Sequence, residues 1–221
     1  MASPGQLVDA VAEVLGVPQP TVKVHDYNLS VAGLRSKGGR GRSAAKMTSV
    51  DAANLLIAVA ASSFVKDTVD TVRDYADLPL FQDMSASWTG TLPSLESLGP
   101  NHTVREVLVG LIDAARTGDL INWITKVTPV DGQPPIRVPY TFRLRIVFHG
   151  PRPMVDVRLP TRDLGADIFM RYVEPTPETD DLEVLKQWSA ELQARDRSGD
   201  LEQLRIFTAT TILRIGKVLN T

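Results

Sequence analysis

The stretch "LVDAVAEVLGVPQPTVKVHDYNLSVAGL", residues 7–34, decides how the first part of the chain is read. Leu7, Val8, Val11, Ala12, Val14 and Leu15 recur at helical spacing. Gly16 then supplies a stop, because glycine enters the left-handed region without a Cβ penalty. Upstream, Ser3 and Pro4 form a helix entry: a serine N-cap with proline at the first helical position, where its missing N–H is not needed. After "VPQPT" a second helical segment runs from about Pro20, with Val22, Leu29 and Ala32 inward and Gly33 as its stop. Two short helices joined by a tight turn are a unit of the size used to place one helix in a DNA groove.

Directly downstream lies "GLRSKGGRGRSAAK", residues 33–46, with five cations (Arg35, Lys37, Arg40, Arg42, Lys46), three interior glycines (Gly38, Gly39, Gly41) and no acid. Such a piece of chain is a solvated linker, a phosphate cradle or an arm along nucleic acid. A P-loop needs G-x-x-x-x-G-K-[ST] after a strand, so that backbone N–H groups and one lysine hold the phosphates. "SKGGRGRS" has neither the spacing nor the strand, and G-x-G-x-x-G is absent too. An arm or wing fits better. Cations that neutralise phosphates release condensed counterions, and five of them allow about three to five phosphate contacts. The glycines let the segment follow a backbone or turn tightly.

Together these residues resemble bacterial helix-turn-helix regulators. The usual pattern there is an alanine-containing first helix, a glycine or small residue in the turn, and a "V…TV" leading into the recognition helix. Ala12, Gly16, Val17, Thr21 and Val22 stand at those positions. The trailing "AGL…KGGRGR" resembles the path from recognition helix to wing in winged-helix proteins. The resemblance covers about the first 60 residues. Pro20 departs from it, removing one N–H that would face phosphate. The resemblance implies that Gln19, Thr21, Lys23, Val24, His25 and Tyr27 face the groove. Gln19 would read adenine bidentately, and Lys23 would contact guanine or phosphate. Arg35, Lys37, Arg40, Arg42 and Lys46 would meet phosphates.

The whole chain sets bounds on this reading. Its 221 residues suffice for one or two domains, and 43% hydrophobic with 23% charged residues is ordinary for a globular protein. No apolar run approaches the roughly 20 residues of a membrane span. The N-terminus holds Asp9 and Glu13 and no basic leader region, so a cytoplasmic protein is expected. Cysteine is absent, which excludes disulfides, thiolate nucleophiles and cysteine zinc sites. His25, His102 and His149 are far apart in sequence and lack metal-ligand spacing, so neither metal nor cofactor is expected. The formal charge of −2 hides an asymmetry: residues 1–46 hold six Lys or Arg against three acids, and the remainder is net acidic. That asymmetry points to an acidic partner for the basic part.

Further along, "MTSVDAANLLIAVAASSFVKDTVDTVRDYA" opens on Thr48 and Asp51, a capping-box pair, and stays helical in pattern toward Tyr75. Its first half is apolar on nearly every side and belongs at the centre of a core. Residues 78–101 read as loop or irregular strand, and "TVREVLVGLIDAARTGDL" as an amphipathic helix stopping near Gly118. From residue 137 the period changes to two. "RVPYTFRLRIVFHGPRPMVDVRLP" predicts a β-hairpin turning at "HGPRP", with Arg143, Arg145 and Arg158 outward, and "DIFMRYV" a third strand. Thr179 opens a solvated helix, its acids Asp180, Asp181 and Glu183 complementing the helix dipole. The chain ends as a short strand and a helix capped near Thr208. The aromatics Trp88, Trp123, Tyr140, Phe142 and Phe148 read as core.

The expectation is an α+β protein in two portions. Residues 1–78 form a winged-helix-like DNA-binding unit, and residues 79–221 a mixed helical and antiparallel β-hairpin portion for sensing, oligomerisation or assembly. The expected function is sequence-specific binding of double-stranded DNA by a transcriptional regulator of bacterial or prophage type, with no catalytic residue named. A homodimer or higher homo-oligomer is expected, because one short helix reads few base pairs. The alternative is a phage packaging or assembly component such as a small terminase subunit. An enzyme with an unrecognised site in residues 79–221 is a third class.

Overall fold

The stretch "AANLLIAVA", residues 52–60, offers water no polar face, so every side of its helix must be covered. In the computed structural model, residues 2–38, 45–81, 92–125, 143–160, 167–177, 179–195 and 202–221 are described. They form α1 (Pro4–Leu15), α2 (Gln19–Val31), α3 (Ser49–Ala61), α4 (Thr68–Ala76), α5 (Pro93–Glu96), α6 (Val104–Thr117) and α7 (Asp119–Thr125). Strands β1 (Arg145–Gly150), β2 (Met154–Pro160) and β3 (Asp167–Val173) follow, then α8 (Leu182–Arg195), β4 (Gln203–Thr208) and α9 (Ala209–Leu219). The protein is α+β. The expected aromatics Trp88, Tyr140 and Phe142 lie outside the described residues.

The apolar stretch lies in α3, which is buried at Ser49 and from Asp51 through Ala60, with Val50 exposed at its N-terminal end. Helices α2, α4 and α6 pack around it, and β1 and β4 approach from the sheet side. Leu55, Leu56 and Ile57 are essentially inaccessible, each contributing about 1.5–3 kcal/mol by leaving water. One cluster of buried side chains runs from Ala2 to Leu219, on both sides of residue 78.

The four strands pair antiparallel in the order β3-β2-β1-β4. Alternation places Ile146, Phe148, Val155, Val157, Met170, Tyr172 and Phe207 on the helix side, all buried. The hairpin, the third strand and the final strand stand where the period-two reading placed them. Arg145 and Arg158 are exposed on the far face. There Arg158 and Arg171 lie 5.2 and 5.3 Å from the Phe169 ring centre, and Arg171 grips Asp156 at 2.8 and 3.0 Å.

The helix expected to run from Thr48 toward Tyr75 is broken. It ends at Ser62, whose backbone is extended, and resumes as a 3-10 turn at Val65–Asp67 before α4. Arg205 of β4 explains the break. Its Nη1 donates to the carbonyls of Ser62 (2.6 Å), Val59 and Ala60 (3.4 Å each), which end the helix. A cation at a helix C-terminus satisfies orphan carbonyls and complements the dipole.

Helix α9 closes the molecule by packing on α1 and α6. At Gly216 the crossing is so close that an added Cβ would lie 2.6 Å from Ala115 Cβ and 3.0 Å from that residue's backbone. Gly216→Ala is expected to destabilise the protein by about 1–3 kcal/mol through overpacking, although alanine favours helix. Urea denaturation monitored by circular dichroism checks this: an unchanged midpoint would mean that the two helices are free to part.

Candidate nucleic-acid interface

Ser3 caps α1 through a capping box with Gln6, and the helix stops at Gly16, whose φ of 64° is left-handed. The N–H groups of Gly16 and Val17 both return to the Ala12 carbonyl, which turns the chain sharply. Three residues later α2 begins with Gln19 and Pro20 in its first turn, where a missing N–H costs little. Leu7, Val8 and Val11 of α1 are buried, as are Val22 and Leu29 of α2, so the pair meets along apolar stripes.

The six base-facing candidates divide. Lys23, Val24 and Tyr27 are exposed on one side of α2, with Tyr27 65% accessible. Thr21 is half-buried. Gln19 donates its side-chain amide to Asp9 Oδ1 at 3.0 Å, which occupies part of the bidentate edge that adenine would need. His25 is turned inward. It falls three residues after Val22 and four before Leu29, on the same buried stripe.

The His25 bonding is specific. Thr68 Oγ1 donates to the Val65 carbonyl at 2.5 Å, so its oxygen must accept from His25 Nδ1–H at 2.7 Å. Nδ1 of the imidazole therefore carries a proton. Burial, and secondarily the Arg205 charge, lowers its pKa below the ordinary 6.5. His102 behaves alike. Nδ1–H donates to the Gly99 carbonyl at 2.8 Å, leaving Nε2 to accept from Tyr172 O–H at 2.8 Å, and burial again lowers the pKa.

The cationic segment is rooted at both described ends. On the entering side, Ser36 N–H donates to Asp51 Oδ1 at 2.7 Å and Asn54 Nδ2 donates to the Leu34 carbonyl at 2.7 Å. On the leaving side, buried Met47 donates its N–H to the Ala2 carbonyl at 2.9 Å. Lys37 and Lys46 are exposed beside these roots. Arg40 and Arg42 lie outside the described residues. Leu34, Lys37, Asp51, Asn54 and Arg105 help line a groove of about 560 Å³.

Arg35 departs from the expected phosphate-facing role. Its side chain is 13% exposed, and Nε lies 2.9 Å from Asp26 Oδ1 on α2, which is itself buried. The two atoms approach without the alignment a hydrogen bond needs, so the attraction is one of charge. Burial raises the Asp26 pKa, the Arg35 charge opposes that, and Asp51 adds to it. Arg35 therefore fastens the segment to α2. The sequence signal was present, since Asp26 is the one acid of α2, but spacing alone does not show that both side chains face inward.

Elsewhere, buried Ser49 donates to Asp113 at 2.5 Å, and Arg116 donates to the same carboxylate at 3.1 Å. That network joins α3 to α6. No group of three His, Cys, Asp or Glu among the described residues could hold a metal ion. No described helix is long and apolar enough to cross a membrane. No protein-family model, curated protein or solved structure matches the chain.

Two outcomes are expected. Arg35→Ala leaves Asp26 buried without its counter-charge and should cost about 3 kcal/mol, whereas Lys37→Ala should stay within about 0.5 kcal/mol; denaturant midpoints of the two variants check the contrast. Stability should also fall with acid. Because His25 and His102 have folded pKa values below 6.5, the unfolded chain takes up protons first. Their contribution is complete above pH 6.5 and is lost as pH drops through that value toward the lower folded ones. Unfolding curves between those limits should show a shallower pH slope for His102→Gln than for the parent.

Proposed function

We propose that the chain is a sequence-specific DNA-binding regulator, with α1 and α2 acting as a helix-turn-helix pair and residues 33–46 as the wing. Support comes first from the turn. A left-handed glycine and two further residues link helices that share an apolar seam, and the second helix keeps one side open. That side presents Lys23 and Tyr27, one turn apart, and Val24. Lysine reaches guanine or phosphate, a tyrosine hydroxyl bonds phosphate, and valine packs against thymine methyl groups. The reading set is narrower than the resemblance implied, because His25 faces the core.

The observation that carries the proposal is the rooting of the cationic segment. A linker has no need of fixed ends. Here both described ends are bonded to buried groups of the core, Leu34 and Ser36 to Asn54 and Asp51 of α3 and Met47 to Ala2. Arg35 gives the base its rigidity, and Lys37, Arg40, Arg42 and Lys46 remain to meet phosphates. Four such cations suffice for a steep salt dependence, with a slope of about −0.9 per phosphate neutralised in the logarithmic plot.

Electrophoretic retardation of genomic fragments by the full chain, at several salt concentrations, tests this. Changing Lys37, Arg40, Arg42 and Lys46 together to alanine should weaken retardation and flatten the salt slope, by about one unit for each phosphate no longer neutralised. Lys23→Ala and Tyr27→Ala should change which fragments are retained. Retardation that is absent from the parent, or untouched by the four changes, would overturn the reading.

A further inference from the structure

The two edges of the sheet are treated differently. Beyond β3, the segment 79–81 closes the edge: Phe81 N–H donates to the Arg171 carbonyl at 2.8 Å and Val173 N–H to the Pro79 carbonyl at 3.3 Å. Beyond β4 the described residues provide no such closure. Among the described residues β4 pairs with β1 alone, and no backbone group of Leu204–Phe207 bonds to anything on the other side.

Open edges invite strand addition, and proteins that remain monomeric blunt them with proline, lysine, bulges or outward charges. β4, "QLRIFT", has no proline and no lysine. Its one charge, Arg205, is directed to the carbonyls that end α3. On the opposite face, Leu204 and Ile206 are 55% and 45% exposed and lie beside His149 and Val147 of β1. An edge row of hydrogen-bonding groups with alternate apolar side chains selects an extended strand as its partner.

We propose that the partner is β4 of a second copy, paired antiparallel so that two four-stranded sheets become one of eight. The commitment to a second copy rests on self-complementarity. An antiparallel pair of identical strands has a two-fold axis, so each copy offers the other the hydrogen-bonding row it lacks. An axis normal to the sheet keeps the faces in register: both Arg205 side chains stay on the helix side, and the Leu204 and Ile206 pairs form a single apolar row outside. This surface is distinct from α2 and the cationic segment and does not depend on their DNA reading.

Analytical ultracentrifugation of the full chain over a concentration series should give twice the 24.1 kDa chain mass. Leu204→Lys combined with Ile206→Lys should raise the dissociation constant at least tenfold while circular dichroism stays unchanged. Because the chain contains no cysteine, single variants Leu204→Cys and Ile206→Cys also report the pairing directly. A short bifunctional thiol reagent should cross-link them between copies, and should not cross-link Val50→Cys, an exposed position at the opposite end of α3 from the carbonyls that Arg205 reaches. A monomer at every soluble concentration overturns the proposal, as does a dimer in which cysteines at 204 and 206 fail to cross-link. Should the lysine variant unfold, the cross-linking result decides alone.

Discussion

The constraint on which the rest depends is that α3, beyond Val50 in its first turn, has no face for water. A helix whose side chains are apolar all round is stable only if other elements enclose it, and its polar groups are then confined to its two ends. Each end also takes a partner from far away in sequence. At the N-terminus, Thr48 and Asp51 form a capping box, and Ser49 reaches Asp113 of α6. At the C-terminus, the Arg205 guanidinium arrives from β4 to take the last carbonyls. Burying this one helix thus obliges α6 and the sheet to take up fixed positions around it.

The same constraint fixes the root of the cationic segment. Asp51 serves its own helix cap through Oδ2 and binds Ser36 N–H through Oδ1. Asn54, one turn on, accepts from Arg105 and donates to the Leu34 carbonyl. Polar side chains in so apolar a helix need partners, since an unsatisfied buried group costs more than a bond returns. Their partners are the backbone of residues 34–36. A segment that looks pliable from its glycines is thereby tied, at its base, to the most buried element in the protein.

Much of the fold could be read in the sequence because the deciding interactions are local. Ser3 with Gln6, Thr48 with Asp51 and Thr103 with Glu106 act over three residues, and all three form capping boxes. Strand alternation in "RIVF" and "MVDV" is likewise a property of neighbours. What sequence spacing did not show involves, apart from the Arg35–Asp26 pair, partners far apart along the chain. The interruption at Ser62 depends on Arg205, and the proton on His25 Nδ1 depends on Thr68. His25 illustrates the difference well. Its place on the Val22–Leu29 stripe was legible, yet its side chain is polar, and only a buried hydroxyl in the right place makes an inward histidine acceptable. Arg35 is the converse: a cation in a cationic run, removed from that run by one buried carboxylate.

The continuity of the core also bears on how recognition and assembly relate. α1, which carries the turn into α2, packs on α9, and α9 follows β4 without an intervening loop. A rigid path therefore leads from the proposed reading helix to the proposed dimer edge, through packed helices instead of a linker. Two-fold pairing at β4 would hold two copies of α2 at one separation and one relative angle. That is the condition for recognising two half-sites on one duplex, where helices must reach successive major grooves in register. A flexible joint between the two would cost orientational entropy on each encounter, whereas a shared core has already met that cost in folding. The buried α3 is thus what would convert a short helix with few reading residues into half of a defined site.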